Sequence, residues 1–279
     1  MGLRINTNVS SITAQKNLSD VTGRLSSSLE KLSSGKRINR AGDDAAGLAT
    51  SEQLRANIAG VRQAIKNAGD GISLVQIAEG GLNETTNILI RLRELAIQGS
   101  SDSVGALEKG YLDEEYQQLV SEVDRVSRST RFNGQDLLTG ESEYKMMDFQ
   151  VGATGEQISR IQFQADKANA TIASGGLDIE GTGVHEKDIA QTSLSKIDTA
   201  LTKISGIRAS FGAMQSRFQS AINNNRNAVE NQSAAYSRIA DADMAYETSQ
   251  YTRNMIVSQA ATSVLGRSSE YMSLALRLL

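Results

Sequence analysis

The chain contains no cysteine, no proline and no tryptophan, and its single histidine is His185. Disulfides, thiolate metal sites and histidine clusters are therefore excluded. Average usage would place about fourteen prolines in a chain of this length, so proline-rich linkers and proline-cornered β architectures are not expected. Aromatic residues amount to 4%, and the 39% apolar share rests mainly on Ala, Ile, Leu and Val. That composition suits helices packed along seams better than a compact globule. The formal net charge is −3 over 61 charged residues, which supplies no basic balance for nucleic acid and none for a membrane surface. No run approaches eighteen consecutive apolar residues, so no membrane insertion is expected. The opening Met1-Gly-Leu-Arg-Ile-Asn-Thr-Asn8 lacks an apolar stretch and a small-residue cleavage site, unlike a cleaved secretory signal. It also misses a myristoylation pattern, since Asn6 stands where Ser or Thr is required.

What is present is periodic. Leu54, Val61, Ala68, Val75, Leu82, Leu89 and Ala96 recur every seven residues, with Ile58, Ile65 and Ile72 on a second row. This is a coiled-coil seam, and a helix from about Asp44 to Gln98 would reach roughly 80 Å at 1.5 Å per residue. Gly60, Gly69, Gly71, Gly80 and Gly81 each cost up to about 1 kcal/mol inside a helix, but the register runs through them. They would let another backbone approach closely; the alternative is a break near Gly80-Gly81. A second seam carries Ile197, Ile204, Phe211, Phe218, Ile239 and Tyr246 on one row and Leu201, Ile222, Val229 and Tyr236 on the other. It is expected to run antiparallel to the first. Between them Leu112 to Arg128 reads as a shorter amphipathic helix, with the loop Gly99 to Gly110 reversing the chain, for a bundle of about three helices.

The helical period lapses only in the middle. Met147, Phe149 and Val151 alternate with polar residues, as do Ile161 and Phe163, and predict a hairpin around Gly152-Ala-Thr-Gly155. Residues 141–190 hold nine acidic and four basic residues, a net −5, and read as a solvated outer surface. Residues 1–62 carry a net +4. Both termini are charge-poor and rich in Ser, Thr, Asn and Gln, and each would be a marginal helix alone. Each nevertheless has an apolar stripe, Leu18, Val21, Leu25, Leu29 and Leu32 at one end and Ile256, Ala260 and Val264 at the other. Such stripes need a partner surface, so the termini are expected to order on association.

Chemistry is hard to place. His185-Glu186 evokes a zinc-peptidase motif, but Ile189 stands where the second histidine belongs. Ser33-Ser-Gly-Lys-Arg37 resembles the end of a phosphate-binding loop, yet Glu30 replaces its first glycine and Arg37 its Ser or Thr. Asp43-Asp44 and Glu114-Glu115 read as solvated or capping carboxylates, and the sequon Asn169-Ala-Thr171 is of a kind expected by chance. No enzyme activity, cofactor, metal or nucleic-acid partner is expected.

Longer motifs are specific. Arg4-Ile-Asn-Thr-Asn8, Leu29-Glu-Lys-Leu-Ser-Ser-Gly-Lys-Arg-Ile-Asn39, Asp43-Asp-Ala-Ala-Gly47, Asn67-Ala-Gly-Asp-Gly-Ile-Ser73, Arg93-Glu-Leu-Ala96 and Phe132-Asn-Gly134 resemble the amino-terminal half of bacterial flagellins. Gly212-Ala-Met-Gln-Ser-Arg-Phe218, Ser237-Arg-Ile-Ala-Asp-Ala-Asp243 and Gln259-Ala-Ala-Thr-Ser-Val-Leu265 resemble their carboxyl-terminal half. The resemblance covers about residues 1–140 and 190–279. It implies a mainly α fold: a long antiparallel coiled-coil rod, a small β-hairpin region and terminal helices that pair. Residues 1–44 and 240–279 would form an inner, channel-lining domain and 45–239 a rod domain, with the variable region reduced to 140–189.

The function implied is a self-polymerising subunit of an extracellular flagellar filament, exported unfolded through the flagellar type III channel without signal cleavage. Lack of cysteine and proline suits that route, since no disulfide blocks transit and no prolyl isomerisation delays refolding. Implied partners are other copies of the chain, an export chaperone on the segment from about Ala240, and filament cap and hook-associated junction proteins. In a host, the flagellin-sensing Toll-like receptor contacts an Arg, a Leu and a Glu that correspond to Arg91, Leu95 and Glu115. Neighbouring Ile90 replaces the glutamine common in strongly stimulatory members. The tail from Gly266 to Leu279 lacks the Gln- and Pro-containing end of familiar members. Rival readings are a hook–filament junction protein, a filament-embedded enzyme, and a chain whose main role is as a host-receptor ligand.

Overall fold

The computed structural model describes residues 8–140 and 146–277, with side chains described except at 269 and 271–277. Residues 4–7 of the opening motif, 141–145 of the expected variable region and the last two tail residues lie outside the described residues. The order is α1 (Val9–Ser34), α2 (Ala45–Gly99), α3 (Ala106–Ser129), β1 (Arg131–Phe132), β2 (Gln135–Asp136), β3 (Met146–Gln150), β4 (Arg160–Gln164), α4 (Lys187–Ala240) and α5 (Met244–Arg277). The fold is mainly α with small antiparallel hairpins, in agreement with the periodicity.

Two compact units divide the chain: Met1–Ile58 with Glu230–Leu279, and Ala59–Val229. The breaks between helices fall elsewhere, at 35–44 and 241–243. The division expected at 44/45 and 239/240 thus follows helix ends, whereas compactness changes further along α2 and earlier in α4.

In the Ala59–Val229 unit the first row of the first seam is enclosed, while Ile65 and Ile72 of the second row are partly buried. Ala68, Val75, Leu82, Leu89 and Ala96 are completely buried, and α2 passes Gly80-Gly81 without interruption. Ile197, Ile204, Phe211, Phe218 and Ile222 of α4 are buried in the same core. Arg93 pairs with Asp198 at 2.8 Å and Arg208 with Glu79 at 3.8 Å, which makes α2 and α4 antiparallel. The α4 register does not extend to Tyr246, which is 59% exposed, because the helix ends at Ala240 and α5 starts a new phase at Met244. Helix α3 begins at Ala106, six residues before its first expected seam position, since the Glu108 side chain accepts the Gly105 N–H at 3.0 Å and caps the first turn.

The glycines of α2 separate by surroundings. A Cβ on Gly71 would lie 2.5 Å from Phe218 Cζ, and one on Gly81 would lie 2.5 Å from Thr130 Oγ1, so these two sites are crossing points. Nothing lies within 4 Å of a Cβ on Gly80.

The β3–β4 hairpin pairs Met147 with Phe163 and Phe149 with Ile161. Phe149 packs edge-on against Phe218 with ring centroids 5.5 Å apart, and Phe163 lies 5.4 Å from Phe211. Asn67 and Asn225 donate to the Gln150 and Val151 carbonyls at 3.1 and 2.8 Å. The middle segment is therefore not simply a solvated outer surface. Its described charged residues take outward positions, while Ile161, Phe163, Ala165, Leu177, Ile179 and Val184 are buried in the core. A further hairpin, β1–β2, turns through Asn133 (φ 49°) and Gly134 (φ 81°), the two left-handed positions of a tight hairpin turn.

Two substitutions separate packing from propensity. Gly71→Ala should destabilise by about 1–3 kcal/mol, because the ring it meets is fully buried and already held against Phe149. Gly80→Ala should instead stabilise by up to ~1 kcal/mol. Urea midpoints followed by far-UV circular dichroism give the opposite signs expected.

Candidate functional site

Helices α1 and α5 pack together in the Met1–Ile58 and Glu230–Leu279 unit. Asn8 Nδ2 lies 3.4 Å from Ser268 Oγ, Lys31 Nζ 3.6 Å from Glu247 Oε1, and the main chains of Lys36 and Asp241 form an antiparallel bridge, so the pair is antiparallel. The less exposed positions of α1 include a row of Ser11, Ala14, Leu18, Val21, Leu25, Ser28 and Leu32, with Glu30 and Lys31 beside its end. The row's spacing alternates three and four, and α5 answers with Glu247, Tyr251, Asn254, Ser258, Ala261, Leu265 and Ser268. Both rows are coiled-coil seams, but polar residues fill many of the positions. Such a seam is weak, because small and hydroxyl side chains bury little apolar area.

The expected terminal stripes divide between two faces. Leu18, Leu25 and Leu32 are half-buried and Val21 is buried on the α1 seam. Leu29 is 55% exposed, Ile256 59% and Val264 57%, and Ala260 is also exposed. Ile256, Ala260 and Val264 follow one another at four-residue steps and so share one face of α5, away from its seam. The seam residues of α5 were missed by sequence reading because Asn254, Ser258 and Ser268 are not apolar; the signal available was their 3–4 spacing.

A clasp joins the two helix breaks. Gly35 takes the left-handed conformation (φ 69°) and its N–H caps α1 on the Lys31 carbonyl. Arg37 N–H donates to the Ala240 carbonyl at 2.7 Å and Ala242 N–H to the Gly35 carbonyl at 2.9 Å. The Asp43 carboxylate accepts the Asn39 and Arg40 N–H groups at 3.1 and 3.0 Å. Those bonds, that of Arg40 first, hold its carboxyl below the ordinary aspartate range. Asp44 and Asp243 cap α2 and α5 through the Gly47, Ala245 and Tyr246 N–H groups. The acidic pair Asp43-Asp44 is thus structural.

On the Ala59–Val229 unit, Arg91 bridges α2 and α3. Its Nη2 and Nε reach Glu115 Oε1 at 2.7 and 3.0 Å, and its Nη1 reaches Glu94 at 3.0 Å. Arg91 and Glu115 are both exposed, but Leu95 has no exposed surface at all. The expected triplet therefore presents two charged residues over a core leucine. Leu95 cannot touch a receptor in this conformation; Ile90, 47% exposed, is the neighbouring apolar residue at the surface. His185 is exposed, with Nδ1 3.7 Å from Asp113 Oδ1, and Asp113 is already engaged by the Val184 N–H at 2.7 Å. Asn169 of the sequon accepts Thr171 N–H and Oγ1–H at 3.0 and 2.7 Å, a local turn. Among the described residues no group of three or more His, Cys, Asp or Glu could hold a metal ion, and no helix is long and apolar enough to cross a membrane.

Paired terminal helices with a weak seam, joined by α2 and α4 to a helical unit with a clamped hairpin, define a class of helical subunits whose terminal pair leaves apolar surface uncovered. Residues 5–143 match the bacterial flagellin N-terminal helical region and residues 194–279 the bacterial flagellin C-terminal helical region. The chain belongs to the bacterial flagellin family. It is 41% identical over 275 residues to a flagellin of Halalkalibacterium halodurans, covering 99% of each chain. It is 40% identical to flagellin FlaB1 of Treponema pallidum, covering 95% of this chain and 96% of the relative. A solved flagellar hook-associated protein of Vibrio parahaemolyticus shares the fold at a TM-score of 0.59 and 12% identity, over 71% of this chain and all of that one.

Leu95→Ala should lower unfolding free energy by ~2–5 kcal/mol, whereas Arg91→Ala should change it by no more than about 1 kcal/mol, since its ion pairs are exposed. Thermal unfolding distinguishes these effects before any receptor assay is interpreted. A depressed carboxylate contributes stability above its unfolded pKa and loses it as pH falls through the lower folded value. Acidification below about pH 4 should therefore weaken the clasp, and Asp43→Asn should remove that part of the acid sensitivity. Hydrogen exchange of the Asn39 and Arg40 amides against pH measures it.

Proposed function

We propose that the chain is a structural subunit that self-polymerises into the flagellar filament. The observation that carries this reading is the uncovered face of the terminal pair, where Leu29, Ile256, Ala260 and Val264 stay exposed after α1 and α5 have packed together. Apolar rows of that kind gain free energy only when a neighbour covers them. A weak polar seam makes the pair depend on that covering, so polymerisation supplies ordering free energy that the monomer lacks. On this reading residues 1–44 with 240–279 form the inner, channel-lining part and 45–239 the outer part.

The family relation supports a role outside the cell, after export in an unfolded state through the flagellar type III channel. The segment from about Ala240 would be held beforehand by an export chaperone. Cap and hook-associated junction proteins would meet the ends of the assembly. In a host, Arg91 and Glu115 form the exposed part of the surface offered to the flagellin-sensing receptor, with Leu95 supporting them from beneath. The role is mechanical, and no catalysis is assigned.

Seeded growth followed by electron microscopy tests the proposal. The intact chain should extend short filament seeds, and a variant lacking 1–44 and 240–279 should not. Ile256→Ser with Val264→Ser, which touches only the exposed face, should slow elongation at least tenfold while leaving α-helix content unchanged. Normal elongation by this double variant would remove the assigned face. An intact chain that stays helical but adds no more than one layer would favour a hook–filament junction role.

A further inference from the structure

A second surface, on the Ala59–Val229 unit, has a chemistry that neither the core nor the terminal pair uses. It is a depression of about 460 Å³ between the outer face of β4 and one side of α4. Strand residues alternate faces, so Arg160, Gln162 and Gln164 stand on the same side, spanning roughly 14 Å at strand spacing, and Lys167 follows beyond the strand end. Phe163 rests on Phe211 and Phe149 on Phe218. The Arg160 end of the strand consequently lies toward Arg217, and the Lys167 end toward Ser210. The floor is apolar, made by Phe211 with Met214 beside it.

The charge here runs against its surroundings. Residues 141–190 carry a net −5, yet two of their four basic side chains converge with Arg217 on a depression that, among the described residues, no carboxylate lines. Arg160 pairs with Asp148 at 3.6 Å and donates to Gln150 Oε1 and the Gly155 carbonyl at 3.3 Å, all at the surface, and among the described residues Lys167 and Arg217 form no ion pair. Lys167 and Arg217 without an ion pair, and Arg160 with an exposed one at 3.6 Å, flank a row of neutral amides and favour an anion whose charges are spaced apart. Arginine and lysine bind oxyanions through charge-assisted hydrogen bonds, and the glutamine amides offer both donors and acceptors to neutral hydroxyls.

We infer that this groove binds an acidic oligosaccharide, with carboxylate- or sulfate-bearing units at the Arg160–Arg217 and Lys167 ends and a neutral unit over Gln162 and Gln164. A nucleic acid fits less well. Among the described residues the one aromatic ring lining the groove is that of the buried Phe211, which offers no face for base stacking, and a phosphate at every unit would meet the acidic surface around the groove.

The probe is a fluorescein-labelled hyaluronan tetrasaccharide, in which uronate units alternate with neutral sugars, titrated with the full-length chain and read by fluorescence polarisation. Saturable binding is expected, with none to equally labelled chitotetraose, which is neutral. Lys167→Gln with Arg217→Gln should weaken binding at least about tenfold through the lost charge-assisted bonds, at an unchanged melting temperature. Arg217→Lys should restore most of the loss if charge is what matters, and Arg208→Gln, an exposed-cation control paired with Glu79, should leave binding intact. Absence of saturable binding by the intact chain, equal binding by the double variant, or oligothymidylate binding as tight as the tetrasaccharide's would each overturn the assignment, the last in favour of a nucleic-acid surface.

Discussion

Burial of the facing rows on α2 and α4 is the constraint on which the rest of the Ala59–Val229 unit depends. Ala68, Val75, Leu82, Leu89 and Ala96 have no solvent-exposed surface, and Ile197, Ile204, Phe211 and Phe218 have almost none. Small residues in the α2 row allow close approach, and Gly71 lets the Phe218 ring reach the helix backbone. That ring in turn receives Phe149 of the hairpin. The hairpin is thus held by the same residue that closes the seam, and its main-chain carbonyls are secured from both helices by Asn67 and Asn225.

The irregular segment after β4 depends on the same core in a different way. It has little regular structure, so its polar backbone must be satisfied by side chains. Thr182 accepts the Tyr116 hydroxyl proton at 2.8 Å and its carbonyl accepts the Gln117 amide at 2.8 Å. The Ser193 hydroxyl donates to the Gly183 carbonyl, Asp113 takes the Val184 N–H, and Lys203 donates to the Gly176 carbonyl. Burial raises the Tyr116 pKa further above a range in which the phenol is already neutral and able to donate. Gly99 gives Val184 its place, since a Cβ there would lie 2.9 Å from the valine Cβ.

The terminal pair follows the opposite logic. Its clasp is well satisfied, with carboxylates capping helices and main-chain bonds joining residues 35–37 to 240–242. Its seam mixes apolar side chains with Ser, Asn and Glu, and its outer face leaves Leu29, Ile256 and Val264 exposed. Strong ends of hydrogen bonding with a weak apolar interior keep two helices in register without making the pair self-sufficient, which suits a surface completed by neighbours.

Sequence by itself determined the long helices, their antiparallel sense and most of the core, because a seven-residue apolar repeat can be buried only on one face of a helix, and two such rows bury each other. It also determined the hairpin, through alternation around 147–163, and that disulfides and histidine clusters cannot form. The tertiary structure alone decided which apolar residues face inward. Leu29 belongs to an apolar stripe in the sequence and Leu95 to the triplet expected at a receptor, yet Leu95 is enclosed in the core while Leu29 is left outside the α1–α5 seam. It decided, too, that Asn254 and Ser258 share that seam and that Arg160, Lys167 and Arg217 surround one depression. Periodicity gives the faces of a helix; which face is covered depends on what the rest of the chain brings against it, over separations that no local pattern records.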